Sequence, residues 1–384
     1  MRFEFSTAGR ILFGAGAVKE VGSLISGWSR RVLVVTGASD QRAEDLLSGL
    51  RAADVSFHRI PTAGEPEVHT VVEAVNEAVR QRCEAVIGFG GGSAMDAAKA
   101  TAALMTNPGP PLAYLEVVGE GKPLQQPAAP CITVPTTAGS GAEVTRNAVL
   151  RVGERRVKVS LRSRKMLARL AVVDPTLTHS LPPEITAATG MDALVQLVEP
   201  YVSPFATPFT DGFCREGLLR AAGSLETVFL HGGDSAAREN MALAALFGGL
   251  ALDNAKVGAV HGIAGPLGGM IPAAHGALCA RLLPFVTATN LRALRERAPD
   301  APALQRYAEV AQMVTGSMEA EAEDGVEWMH RICDRLQVPG LSDLGLSEKD
   351  LPELVEKAKK ASSMKGNPVI LTDAQLFDIL RKAL

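Results

Sequence analysis

The sequence predicts an α/β, Rossmann-like N-terminal domain followed by an all-α C-terminal domain. Three observations carry this. Apolar β-type runs alternate with helical patterns through the first half, the signature of a parallel sheet. A glycine-rich turn, Gly90-Gly91-Gly92-Ser93, separates one such run from a helix. After about Ser180 the β-branched runs become few and helical periodicity takes over. The boundary is therefore placed there, giving domains of 1–180 and 181–384.

A length of 384 residues suits two domains or three. Apolar residues make up 47% and charged residues 21%, a globular rather than a disordered balance. Aromatics are only 4%, which favours helix-rich packing of small side chains. The net charge is −3 and the pI about 6.2, so neither a nucleic acid nor a membrane surface is expected as partner. Cys83, Cys131, Cys214, Cys279 and Cys333 are odd in number and form no CxxC pair. That argues against a disulfide framework and against a cysteine zinc site. No basic-then-apolar leader opens the chain, and no uninterrupted apolar stretch reaches about 18 residues. The expected location is cytoplasmic.

The elements follow in order. Arg31 to Gly37 reads as a buried strand ending in a turn, and a helical pattern runs from about Asp40 to Ala53. Val55 to Ile60 reads as a strand. From Val68 to Arg82, Val71, Val72, Val75 and Val79 form one stripe of an amphipathic helix. Ala85 to Phe89 is a strand running into the glycines, and an Ala-rich helix spans about Met95 to Met105. A Pro-rich loop fills Asn107 to Pro130. Cys131 to Pro135 and Ala171 to Pro175 are further strands, with an edge hairpin expected around Arg155 to Val159. Beyond Ser180, Leu181-Pro182-Pro183-Glu184 opens the first of a series of helices.

Two loops at strand ends are candidate binding elements. In the first, glycine permits close approach of a pyrophosphate, and a helix N-terminus supplies free N–H groups. Its spacing is not GxGxxG, and a plain strand-to-helix turn would use the same residues. The second, Pro135-Thr136-Thr137-Ala138-Gly139-Ser140-Gly141-Ala142-Glu143, carries hydroxyls suited to phosphate, ribose or nicotinamide. It also reads as a capped helix start, with Ser140 as cap and Glu143 three residues on. Two such loops fit the ligand crevice of a doubly wound sheet.

A third constellation lies in the helical half. Asp192 and Gln196 are one helical turn apart and share a face. His261 and His275 sit among glycines, prolines and apolar residues that break a single helix, so the chain can bring both imidazoles to one point. Two nitrogens and two oxygens suit Fe(II), Zn(II), Mn(II) or Ni(II). A buried histidine bonded within a core, and Asp192 as a cap, are the plain alternatives.

Taken together these residues resemble the iron-containing (group III) alcohol dehydrogenase family, in order and over nearly the whole chain. Phe13-Gly14-Ala15-Gly16 resembles its early FGxG turn. Gly90 to Ser93 with Asp96 and Lys99 resembles GGGSxxDxAK, and Pro135 to Gly141 resembles PTTAGTGSE. Asp174-Pro175 with Leu177 resembles a strand end that touches nicotinamide. Gly190 to Leu194, His261-Gly262 with Pro266-Leu267-Gly268, and His275-Gly276 resemble the metal segments.

The resemblance implies a dehydroquinate synthase-like fold, with a dinucleotide-binding first domain and a metal- and substrate-binding second domain meeting at a cleft. It implies NAD or NADP contacted by Gly37, Gly90, Gly91, Gly92, Ser93, Asp96, Thr136, Thr137, Ser140, Lys158 and Leu177. It implies one divalent metal, Fe(II) before Zn(II), held by Asp192, Gln196, His261 and His275. Asp192, His261 and His275 would thereby be catalytic, either imidazole serving as a direct proton donor if no metal were bound. The partner would be a small alcohol, aldehyde or ketone, and the assembly a homodimer.

Three positions depart from the family pattern. Gln196 stands where the family usually has His, which weakens or redirects metal binding. Gly265 replaces a frequent second His, widening the pocket and removing a proton relay. Gly37 replaces a frequent Asp that would repel a 2′-phosphate, so NADP stays open, with Arg42 as a phosphate partner. The nearest alternative is a maleylacetate reductase, with Arg146 or Arg162 on a carboxylate, although Asp192 is retained. A sugar-phosphate cyclase is disfavoured by the apolar run from Val257 to Pro272. A cofactor-binding protein with lost chemistry is the alternative of a different class.

Overall fold

The computed structural model describes residues 2–37, 41–62, 64–153 and 157–384. Its internal contacts divide the chain into two compact units. One runs from Ser6 to Thr137 and from Gly141 to His179; the other holds Ser180 to Leu384, with Ala138–Ser140 and the stretch up to Phe5.

The first unit is built on a parallel sheet. Its strands are β1 (Ile11–Phe13), β2 (Arg31–Thr36), β3 (Ser56–Pro61), β4 (Ala85–Gly90), β5 (Cys131–Pro135) and β8 (Leu170–Val173). They lie in the order β1-β8-β5-β4-β2-β3, every pair parallel. Val32 to Val35 and all of β4 and β5 are buried, which is why these strands read as continuous apolar runs rather than alternating ones. Helices α1 (Val21–Ser26), α2 (Glu44–Ala52), α3 (Val68–Arg80) and α4 (Gly92–Thr106) supply the crossovers and flanks. The short β1 has no signal strong enough to read from sequence; it docks on β8 with Leu12 opposite Val172.

Two elements differ from their sequence expectation. Helix α4 begins at Gly92, about a turn before the apolar pattern suggests, so the last glycine and Ser93 belong to its first turn. The antiparallel pair is β6 (Asn147–Val152) with β7 (Val157–Arg162), wider than the hairpin read from sequence. Arg155 and Arg156 lie outside the described residues.

The second unit is helical: α5 (Pro183–Val202), α6 (Pro208–Leu230), α7 (Ser235–Ala255), α8 (Ala259–Met270), α9 (His275–Arg297), α10 (Pro302–Thr315), α11 (Ala322–Arg335), α12 (Leu351–Lys360) and α13 (Asp373–Ala383). Helix α5 is buried on every side in its second half. Met191, Ala193, Leu194, Val195 and Leu197 are each 0% exposed, but so nearly are Asp192, Gln196 and Glu199 at 5%, 3% and 4%. A helix apolar all round belongs in a core. Polar side chains there cost stability unless they are partnered. Their presence marks α5 as the helix that carries chemistry.

Among the described residues, no single helix is long and apolar enough to cross a membrane; α7 and α8 reach that composition only as a pair bent by 99°. Both contribute to the apolar core of the helical unit through residues such as Ala244, Ala251, Val260 and Ile263.

Candidate metal and cofactor site

In the α/β unit, β2 has β3 on one side and β4 on the other. The connections leaving β2 and β4 therefore diverge, and such a switch point opens a crevice at the strands' carboxyl ends. Gly37 and Gly90 meet there: the Gly37 N–H donates to Phe89 O at 3.1 Å. Gly90 has φ +155, and a Cβ on it would come within 2.7 Å of Ala94 Cβ and 3.2 Å of Gly37 N. Only glycine fits that turn without distortion. Gly91 precedes α4, and no side chain caps its N-terminus. Uncapped N–H groups and the positive dipole end form an anion site. The Thr136 N–H donates to Gly90 O at 2.9 Å, tying the second loop to the first.

The other cofactor candidates are placed as follows. Asp96 lies 3.1 Å from Lys99 Nζ through Oδ1, and its Oδ2 accepts from Val149 N at 3.0 Å. Lys99 is fully buried and donates to Ala142 O at 2.8 Å, to Thr145 Oγ1 at 3.1 Å and to Asn147 O. This pair pins the loop that follows the threonines. Thr137 Oγ1 stands 3.6 Å from where a Cβ on Gly91 would be. Lys158 Nζ sits 2.8 Å from Glu65 Oε1. Arg42 Nη2 donates to Leu177 O at 2.8 Å and to Thr136 O at 3.2 Å, so its guanidinium is engaged by backbone carbonyls. The capping role read for Ser140 is not what forms: the short 3-10 turn Ala142–Val144 has Gly141 as its N-cap, with φ 61 and no side-chain cap.

The metal candidates come from three helices of the helical unit. Asp192, Gln196 and Glu199 share one face of α5. His261 is in the first turn of α8, and His275 opens α9. Helix α8 runs through Gly262, Gly265 and Pro266 and stops at Met270, so the break between the two histidines falls at Ile271 to Ala274. Gly276 lets α9 start against α5: a Cβ there would sit 2.0 Å from Ala188 O and 3.2 Å from Asp192 Cβ. As a result Asp192 Oδ1 stands 3.6 Å from His261 Nε2 and 4.0 Å from His275 Nε2. The two rings are 5.4 Å apart between centroids.

These separations exceed a hydrogen bond. Asp192 Oδ1 and Gln196 Oε1 are both buried without a hydrogen-bond partner. Each such atom costs about 1–3 kcal/mol. Burial pushes the Asp192 carboxyl up, but the His261, His275 and Gln196 side chains outweigh it and hold it below its ordinary value. Burial pushes the His261 imidazole down, yet Asp192 and Glu199 raise it to about 10. Two buried oxygens without hydrogen-bond partners, beside two imidazoles, fit a cation. The donor set, carboxylate with imidazoles at mutual distances near 4 Å, fits one divalent ion.

Two residues here escaped the sequence reading. Glu199 Oε2 accepts from His261 Nδ1 at 2.7 Å, and its Oε1 accepts from Val260 N at 2.6 Å. The signal was present, since residue 199 lies seven after 192 on the same helical face. Cys279 Sγ belongs to the cluster as well: with Asp192, His261 and His275 it offers ligand atoms all within 4.8 Å of one another. The lack of a CxxC pair hides this cysteine in the sequence. The spacing that mattered was four residues after His275 on one helix. None of the five cysteines is in a disulfide.

A crevice at a parallel-sheet switch point and a buried cluster able to hold a divalent cation are what a metal-dependent dinucleotide oxidoreductase requires. The comparisons make this specific. The model for iron-containing alcohol dehydrogenase matches residues 8–175, and the C-terminal model of the same family matches residues 186–384. The choline dehydrogenase of Bacillus subtilis (strain 168) is 33% identical, covering 95% of this chain and 90% of its own length. The NAD-dependent methanol dehydrogenase of Bacillus methanolicus is 32% identical, covering 97% of each. A crystal structure of a 1,3-propanediol oxidoreductase superposes with a TM-score of 0.91 at 31% identity, covering 100% of both chains. The chain belongs to the iron-containing alcohol dehydrogenase family. It is an NAD(P)-dependent alcohol dehydrogenase of the iron-containing type, using a nicotinamide dinucleotide and a divalent metal.

Proposed function

We propose that the chain interconverts a small alcohol and its aldehyde or ketone on one cation held by Asp192, His261 and His275, with Gln196 beside them. The observation that carries this is the buried Asp192 Oδ1, facing two imidazole nitrogens and bonded to neither. Asp192, His261 and His275 would hold the metal, which would supply Lewis acidity toward the substrate oxygen, and a bound nicotinamide would supply the hydride chemistry.

The chain's own residues do the rest. Glu199 accepts the Nδ1 proton of His261 and so leaves Nε2 as the ligating nitrogen. The same carboxylate anchors the start of α8 through Val260 N. In the α/β unit, Gly90 and the uncapped start of α4 admit the pyrophosphate, and Thr136 and Thr137 border the same turn. Gly37 leaves room at the ribose, since a Cβ there would meet nothing within 4 Å. With Arg42 held by carbonyls rather than presented as a phosphate partner, we assign NAD as the working cofactor and NADP as the second choice. Gly265 faces open space as well, so substrates bulkier than methanol are accommodated. The related choline and methanol dehydrogenases bracket that size range. A homodimer in the cytoplasm is the proposed state.

The test is a screen of primary alcohols, their aldehydes, ketones and oxo acids with NADH and NADPH after loading with Fe(II) or Zn(II). Turnover that vanishes in Asp192→Ala and in His261→Ala, with circular dichroism unchanged, supports the proposal. Full activity of both variants in chelator-treated buffer refutes it.

A further inference from the structure

The geometry points to Cys279 Sγ, rather than the Gln196 amide, as the fourth protein ligand of the cation. This rests on the cation site proposed above and names a donor that the family pattern does not supply. Cys279 is one turn after His275 on α9, so both side chains project from the same face. It is 0% exposed, and its Sγ lies 3.5 Å from His275 Nε2.

Four donor atoms around a tetrahedral ion with bonds of about 2.0–2.3 Å are separated by roughly 3.3–3.8 Å. The observed edges are 3.5 Å from sulfur to His275, 3.6 Å from Asp192 to His261 and 4.0 Å from Asp192 to His275. The remaining edges fall within 4.8 Å. Small rotamer adjustments close them onto an ion. The independent sign that something belongs there is Asp192 Oδ1, 95% buried by residue, aimed into the cluster and without a hydrogen bond.

Gln196 Oε1 is also buried without a partner, beside α7, where a Cβ on Gly248 would be 3.5 Å away. An amide oxygen is also a weaker ligand for Fe(II), Co(II) or Zn(II) than a thiolate. Loading therefore releases the Cys279 proton to solvent and forms one metal–sulfur bond. The change from an all-N/O set to one containing sulfur favours Zn(II) and Co(II) over harder ions such as Mn(II) or Mg(II).

The experiment is anaerobic Co(II) loading of the full chain, read by absorption and by metal content. The expected result is one Co(II) per chain, visible ligand-field bands and an intense near-ultraviolet sulfur-to-Co(II) charge-transfer band. Cys279→Ser and Cys279→Ala should lose the near-ultraviolet band, keep the visible bands and bind Co(II) at least about tenfold more weakly, the loss that even an outer partner of a ligand causes. Gln196→Ala should keep the charge-transfer band. One bound Co(II) without that band in the parent, or a band that persists in Cys279→Ala, overturns the sulfur assignment and leaves the cation site standing. No stoichiometric Co(II) in the parent overturns the cation site and the assignment together. The parent spectrum decides the matter even if a variant fails to fold.

Discussion

His261 Nδ1 is held by Glu199 Oε2 at 2.7 Å, which turns the opposite ring nitrogen toward Asp192. Glu199 does two jobs at once, since its other oxygen caps the start of α8. Glu199→Gln can satisfy only one of them, because an amide offers one acceptor. Outer partners of metal-ligating histidines are worth about 10–100-fold in metal affinity. We expect a loss in that range, measured by competition with a chelator of known affinity, and a destabilisation of about 1–2 kcal/mol from the lost charged interaction at the helix N-terminus. Unchanged affinity would mean that His261 is not a ligand or that its tautomer is fixed elsewhere.

How much of this was legible in the sequence follows from where each signal lives. Strands β2, β4 and β5 are buried on both faces, so their runs stand out; β1 is three residues long and depends on β8 for its existence. Gly90 was visible because the turn demands glycine. Glu199 and Cys279 were not, although each lies on the same helical face as a residue that was singled out. Spacing puts them on the right faces, but their importance comes from the crossing of α5, α8 and α9, a tertiary fact. Asp96 and Lys99, read as part of a cofactor motif, also form hydrogen bonds to the loop at Ala142 to Val149, which the motif alone does not tell.

Gly90→Ala should damage the cofactor crevice. The φ of +155 is outside the range of L-residues, and the added methyl would meet Ala94 Cβ at 2.7 Å. Such strain with overpacking costs about 1–3 kcal/mol. The expected outcome is a lower melting temperature and at least a tenfold weaker NADH fluorescence titration, with Co(II) binding unaffected. Equal loss of metal binding would show that the variant had unfolded generally.

Removing the metal should lower stability by mass action. A ligand at about a hundred times its dissociation constant contributes about 2.7 kcal/mol. Loaded and chelator-treated protein should therefore differ in melting temperature by a few degrees, and the difference should disappear in Asp192→Ala. A parent whose melting point ignores the chelator would lack a cation tied to the folded state.

Glu143 gives a prediction with a definite sign in pH. Burial lifts its carboxyl from 4.5 to about 7, against its own backbone N–H and the charge of Lys99, which both pull it down. Between those two values the folded protein keeps a proton that the unfolded chain has released. Stability therefore falls as pH rises through that window, and the loss is complete above about 7. Glu143→Gln has no proton to lose there and keeps nearly the same shape. Its melting temperature should match the parent's near the acid end of the window and exceed it at about pH 8. The comparison uses the difference between the two proteins, so every other titrating group cancels. Parallel melting curves across the range would show that the folded state ionises Glu143 as easily as the unfolded chain does, and would overturn the prediction.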